Sequence, residues 1–249
     1  MLTIFQTLFS PPRHLILPLV AAWLGSWLSE RRLRREDPLR NALSNLVFYG
    51  LVAFILGGRI FYAAAHLSAF ISSPLSLLSP NSDLFEPLGG IVSTLLVAWV
   101  YGQRQKLQFW TTLDTLTPFL AALAVGLGLA HLAAGTAFGR PASVPWAIEM
   151  WNQQRHPSQI YETLAALAIL GLVLLHRPAH PAGLHFLIFI CLILGAHLFL
   201  EAYRGDSTLL TGGFRQAQVF DWVLLALSFV AIEFRKASTP GLAPPHSRD

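Results

Sequence analysis

The sequence is poor in charge. Asp, Glu, Lys and Arg make up 12% of its 249 residues, where a water-soluble domain carries about a quarter. Cysteine is almost missing too. Cys191, the single one, lies in an apolar run and excludes an intrachain disulfide framework or a CxxC metal motif. It reads as a small packing residue. No internal repeat and no low-complexity tract breaks the chain. No small-residue cleavage site follows the first apolar stretch, which Pro11, Pro12 and Pro18 interrupt, so that stretch is not expected to be a cleavable signal.

What is present in excess is apolar surface. Hydrophobic residues form 54% of the chain and the mean hydropathy is +0.53. A chain of this kind needs lipid as part of its solvent. A spanning helix takes about 20 apolar residues, and seven stretches qualify with their flanks: Leu15–Leu28, Leu43–His66, Leu84–Gly102, Leu116–Phe138, Tyr161–Leu175, Gly183–Tyr203 and Val219–Phe234. The expected fold is all-α, a polytopic bundle of about seven transmembrane helices. Residues 1–236 form one membrane domain and 237–249 a disordered, proline-containing tail. The Ser- and Pro-rich loop Ala69–Asp83 is expected to lie against the bilayer surface.

The net charge of +4 is explained by topology rather than by nucleic acid, for which no partner role is expected. Arg31, Arg32, Arg34, Arg35, Arg40, Arg104, Lys106, Arg177, Arg235, Lys236 and Arg248 fall on one side of the predicted spans. Arg13, Arg140, Arg155, Arg204 and Arg215 fall on the other. Short cytoplasmic loops carry the excess of Lys and Arg. The N-terminus is therefore expected outside and the C-terminus in the cytoplasm. Trp110 and Trp146 sit beside predicted span ends, the depth that indole rings favour.

Ionisable groups inside spans are costly and are functional candidates for that reason. Arg59 follows Gly57-Gly58 and is either a snorkelling arginine or a five-donor cation for a phosphate. His131 lies among glycines and alanines, either bonded across helices or serving as a general base. His197, Glu201 and Arg204 recur at i, i+4 and i+7, on one helix face. They read as an internal ion pair or as one wall of a polar cavity. The segment His156–Glu162, HPSQIYE, places Gln159, Tyr161 and Glu162 in the first turns of a span. That density of hydrogen-bonding groups suits residues that line something. Arg140, Arg155, His156, Arg204 and Arg215 share that external side, and several arginines around a polar pocket suit an anionic lipid headgroup.

HPSQIYE resembles the PSQLYE motif of the bacterial prolipoprotein diacylglyceryl transferases. Other segments follow in that family's order. Gly57-Gly58-Arg59-Ile60-Phe61-Tyr62 resembles its GGRLGY segment, and Leu88-Gly89-Gly90 its HGGL segment. Leu113-Asp114, Pro118, Gly139-Arg140-Pro141 and Pro145-Trp146 resemble its LD…AP…GRP…PW pattern. Phe199–Arg204 resembles its FLxEFxR segment, with Gln216 and Gln218 near a late glutamine segment. The resemblance covers roughly Asp37 to Val230.

It implies a multi-pass protein of the bacterial inner membrane. The implied reaction moves a diacylglyceryl group from phosphatidylglycerol to the cysteine thiol of a lipoprotein signal peptide, with no cofactor and no metal. The expected partners are phosphatidylglycerol or another anionic phospholipid, lipoprotein signal peptides and the membrane. The headgroup-binding residues implied are Arg59, Arg140, Gln159, Tyr161, Glu162, Glu201 and Arg204, with His131 and His197 as catalytic candidates. The sequence departs from the family pattern at six places. The histidine before Gly-Gly is Leu88, and in the GRxGNFxNxE signature the arginine, one asparagine and the glutamate are Gly128, Ala134 and Thr136. The other asparagine of that signature is His131, and the arginine four before Glu201 is His197. Two accounts stay open: the histidines take over the chemistry, or the chain keeps a lipid pocket and has lost the transfer.

Overall fold

Helices form at all seven of the apolar stretches in the computed structural model, which describes residues 2–34, 36–79, 81, 84–176 and 181–238. A short α1 (Leu2–Leu8) precedes them. Then come α2 (Ile16–Arg31), α3 (Pro38–Ala65), a short α4 (Leu67–Ser72), α5 (Pro87–Arg104) and α6 (Phe109–Ala134). After a small β-hairpin follow α7 (Ser158–Leu175), α8 (Leu184–Leu200) and α9 (Gln216–Ala237). Arg35, Arg177, Arg248 and the predicted tail beyond Ser238 lie outside the described residues.

The protein is a polytopic helical membrane protein. Five helices are long and apolar enough to cross a membrane: Leu39–Ala65, Phe109–Ala134, Ser158–Leu175, Leu184–Tyr203 and Gln216–Ala237. The other two predicted spans give α2, with 16 residues, and α5, with 18. Large apolar side chains face outward along these helices, among them Trp99 at 65% exposure and Trp222 at 63%. Contiguous apolar surface of that kind belongs against lipid.

Two helix pairs dominate the packing. α2 lies on α6, where a Cβ on Gly126 would stand 2.4 Å from the Ala21 methyl. The small residue lets the backbones approach. Pro118 lies inside α6, and the Phe119 amide beside it donates to the Ser29 hydroxyl of α2 at 3.1 Å. α3 lies on α5, tied by the Thr94 hydroxyl donating to the Gly50 carbonyl at 3.1 Å. Ala121, Ile169, Val173 and Phe189 form the apolar centre between α6, α7 and α8.

The two ends of the bundle differ. At one end meet the start of α6, the end of α7, the start of α8 and the end of α9. Asp114 accepts from the amides of Gly183 (2.6 Å) and Phe186 (2.8 Å), capping α8. Arg235 donates to the Ala182 carbonyl at 2.8 Å and stands over the Trp110 ring. Arg32 donates to the Val173 carbonyl. Arg32 and Arg235, both of the expected basic side, lie at this end.

The other end departs from an all-α fold with a short β-hairpin. Ile148–Met150 pairs antiparallel with Gln153–Arg155. Trp151 and Asn152 turn the hairpin with φ of 55° and 59°, the conformation that a two-residue hairpin turn requires. The segment beside it is held at Pro141↔Arg155 and Gly139↔Arg204. Extended backbone here satisfies amides that the helices leave free. Periodicity does not reveal so short a pairing.

Candidate functional site

The first turn of α7 is built to hold the loop after α6. The Ser158 hydroxyl donates to the Ala137 carbonyl at 2.6 Å and the Gln159 amide to the Thr136 carbonyl at 2.9 Å. Gln159 is fully buried. Its side chain braces the loop from the interior. The segment after Ala137 then runs on to Arg140, whose amide donates to the Tyr203 carbonyl at 2.9 Å. In this way the ends of α6 and α8 and the start of α7 are fastened together.

Their polar side chains form one ionic chain. His131 Nδ1 stands 3.3 Å from Glu162 Oε2, and Glu162 Oε1 lies 3.7 Å from Arg204 Nη1. Arg204 Nε lies 3.5 Å from Glu201 Oε2 and 3.0 Å from Asp206 Oδ1. Its Nη2 donates to Asp206 Oδ2 at 3.2 Å. Glu201 is buried at 1% exposure, and its Oε2 accepts no hydrogen bond among the described residues. Burial pulls the Arg204 pKa down, but the bond to Asp206 and the charges of Asp206, Glu162 and Glu201 outweigh it and hold the group above its ordinary value. Three carboxylates thus share one guanidinium, which leaves little positive charge on Arg204 for another anion.

Arg140 differs. It is exposed, stands 5.7 Å over the Tyr203 ring, and its guanidinium makes no hydrogen bond or ion pair among the described residues. Around it lie aromatic groups in mutual edge contact: His156 with Tyr203, Tyr161 with Tyr203 and Phe199 with Tyr203. The Tyr161 hydroxyl accepts from the Trp146 indole at 2.6 Å. Arg155 stands over the Phe138 ring and donates to the Gly139 carbonyl, so its role is to hold the loop. Arg215 likewise donates to the Arg204 carbonyl.

The structure therefore brings His131, Glu162, Glu201 and Arg204 into direct contact, with Tyr161 and Arg140 on the adjoining aromatic patch. Arg59 is placed on the α3–α5 pair, where it donates to the Asn81 carbonyl at 3.1 Å. His197 lies one turn before Glu201 and pairs with Asp221 of α9, Nδ1 to Oδ2, at 2.7 Å. Among the described residues no cluster of three or more His, Cys, Asp or Glu is suited to a metal.

Asp206, Asp221 and His14 are polar groups that the sequence reading passed over. Asp221 carried a signal: it is a carboxylate inside the apolar run Val219–Phe234. His14 precedes α2, and its buried Nδ1 has no hydrogen-bond partner among the described residues.

The sequence pattern of the prolipoprotein diacylglyceryl transferase family matches residues 14–233. The chain belongs to that family. It is 32% identical over 149 residues to a phosphatidylglycerol–prolipoprotein diacylglyceryl transferase of Pseudomonas savastanoi pv. phaseolicola, covering 55% of each chain. A protein of the same name from Methylococcus capsulatus is 29% identical over 167 residues, 64% of this chain and 61% of that one. Another from Pseudomonas paraeruginosa is 29% identical over 178 residues, 67% of this chain and 66% of that one. The chain thus spans about half to two thirds of the length of the curated relatives it matches.

As a diacylglyceryl transferase family member, the chain is unusual where the polar signature thins. Leu88 opens α5 with 66% of its surface exposed. Gly128 faces Thr163 of α7, and a Cβ there would stand 2.6 Å from the threonine hydroxyl and 3.2 Å from its backbone. A side chain at that position must displace Thr163. The close approach is also what brings His131, three residues on, to Glu162, the neighbour of Thr163.

Proposed function

We propose that this protein moves a diacylglyceryl group from phosphatidylglycerol to the cysteine thiol of a lipoprotein precursor. It works as a seven-span enzyme of the bacterial inner membrane, with its N-terminus outside and its C-terminus in the cytoplasm. Membership of the family supports the reaction class. The orientation rests on the side of the arginines: Arg32, Arg40, Arg104 and Arg235 fall at the end opposite the ionic chain. Residues 1–236 act as a single membrane domain.

The observation that carries the reading is the contrast between two arginines at one end of the bundle. Arg204 is consumed by Glu162, Glu201 and Asp206, and so frames the site. Arg140 keeps an uncommitted guanidinium above Tyr203. A guanidinium presents planar paired donors that match a phosphate. Arg140 is therefore the phosphate contact, with Tyr161 beside it. Glu162, Glu201 and Arg204 hold the frame, and Gln159 braces it from inside. Arg59, on the α3–α5 pair, is a second cation for the headgroup.

The transfer needs a cation to stabilise the departing phosphate and a base to convert thiol to thiolate, the nucleophilic form. His131, His197 and His156 are imidazoles at this end of the bundle, and the first two are each held by a carboxylate. Purified protein incubated with phosphatidylglycerol vesicles and a peptide bearing a lipoprotein cleavage motif tests the proposal. A lipid-modified peptide is the expected product. Its absence, in conditions where a Pseudomonas relative works, removes the transferase reading.

One observation favours a second reading, lipid binding without transfer: Leu88 cannot carry a proton and Gly128 cannot meet a phosphate. Under that reading Arg140→Ala abolishes phosphatidylglycerol binding, while variants at both histidines leave that binding unchanged.

A further inference from the structure

Two imidazoles stand near the frame, each held at Nδ1 by a carboxylate, and the two carboxylates are not equally committed. Glu162 lies between His131 at 3.3 Å and Arg204 at 3.7 Å. Its charge is divided and its hold on the ring is long. Asp221 lies 2.7 Å from His197, and this is its one side-chain hydrogen bond among the described residues. The carboxylate is 9% exposed and the imidazole 35%. The bonded edge of the His197 ring is thus inside and the rest of the ring is open. Its Nε2 makes no hydrogen bond among the described residues. α9 is fastened to the same turn of α8 a second time, by the Gln218 amide donating to the Leu198 carbonyl at 3.3 Å.

A carboxylate that accepts from Nδ1–H fixes the tautomer and leaves the Nε2 lone pair outward. It also stabilises the imidazolium that forms when Nε2 takes a proton. We infer that His197 is the general base that accepts the proton of the incoming cysteine thiol, and that Asp221 is its positioning residue. This rests on the transferase reading above. The thiol proton passes to His197 Nε2. The sulfur forms a C–S bond at the glyceryl carbon. The bond from that carbon to the phosphate oxygen breaks, its electron pair leaving with glycerol phosphate. His197 then returns the proton to the departing phosphate, so the imidazole ends neutral. His131, with its divided carboxylate, is left for the headgroup side.

The pair is also a tie between two helices, and a tie alone would give a different set of kinetics. The test uses the full chain in phosphatidylglycerol-containing nanodiscs with a peptide acceptor, measuring kcat and KM together with thermal unfolding. Asp221→Asn preserves shape and loses the tautomer control. It is expected to lower kcat about a hundredfold to ten-thousandfold, the range of a general base, with KM for phosphatidylglycerol within about twofold of the parent. His197→Gly falls similarly and recovers part of its rate when imidazole is added to the buffer. His131→Gln acts chiefly on KM.

The inference is overturned if His197→Gln or Asp221→Asn keeps kcat within about threefold of an active parent. It is equally overturned if His197→Gly gains nothing from imidazole although it melts as the parent does. A parent that makes no lipidated peptide beside a working relative ends the transferase reading and this one with it. An active parent with indifferent variants ends this one alone.

Discussion

Gly128 of α6 and Thr163 of α7 meet so closely that a Cβ added to the glycine would stand 2.6 Å from the threonine hydroxyl. The hydroxyl itself donates to the Gln159 carbonyl at 2.7 Å, so it cannot swing aside without losing a bond. Gly128→Ala is expected to cost about 1–3 kcal/mol, as overpacking does in a filled interior. It should also separate His131 from Glu162. Unfolding in detergent micelles measures the first effect. Thr163→Ala in the same chain should recover part of it, and Gly128→Arg should not fold.

Arg204→Ala leaves Glu201 buried with its counter-charge gone. Removing one partner of a buried pair costs about 3–5 kcal/mol. Arg204→Lys is expected to recover little, because a single ammonium cannot serve Glu162, Glu201 and the two-point contact with Asp206 together. Denaturant titration of the micelle-bound protein compares the three. Equal stability of Arg204→Ala and the parent would contradict the framing role.

Stability should fall on mild acidification. Burial, and then the charge of His131, hold the His14 pKa below its ordinary 6.5. The folded protein therefore binds this proton less readily than the unfolded chain. The contribution of neutral His14 is complete above pH 6.5 and is lost as pH drops from there through the folded value. Melting temperature followed downward from pH 7.5 should decline below 6.5, and His14→Gln should flatten that part of the curve.

Much of the bundle was legible in the apolar runs, and the misreadings have physical causes. α6 begins at Phe109, well before the predicted Leu116, because Thr115 and Thr117 bond back to the carbonyls of Thr111 and Leu113. Polar residues that satisfy themselves along a helix need not end it. The candidates His131, Glu162, Glu201 and Arg204 were visible as expensive groups in apolar surroundings. Their partners were not, since the pairing of His131 with Glu162 depends on how near α7 comes to α6. Asp221 was within reach of the rule that singled out His197. The hairpin at Trp151-Asn152 carries no alternation long enough to read.

Asp114→Ala strips the acceptor from the amides of Gly183 and Phe186. Leaving buried donors unmatched costs about 1–3 kcal/mol for each group. Asp114→Asn keeps one oxygen and should lose less. Thermal melts of both variants, with exchange of the Gly183 amide as a local report, check the order.

The same carboxylate has a consequence for biosynthesis. The amides that Asp114 receives belong to residues 69 and 72 positions later in the chain. While the polypeptide is being made, α6 leaves the insertion machinery long before those donors exist. A lone carboxylate in hydrocarbon would resist insertion, yet Asp114 lies only five residues into its helix, near water. It can wait there, hydrated, until the eighth helix arrives and closes on it. Insertion of this protein is thus expected to finish late, with the docking of α8 as the step that makes α6 a settled resident of the bilayer.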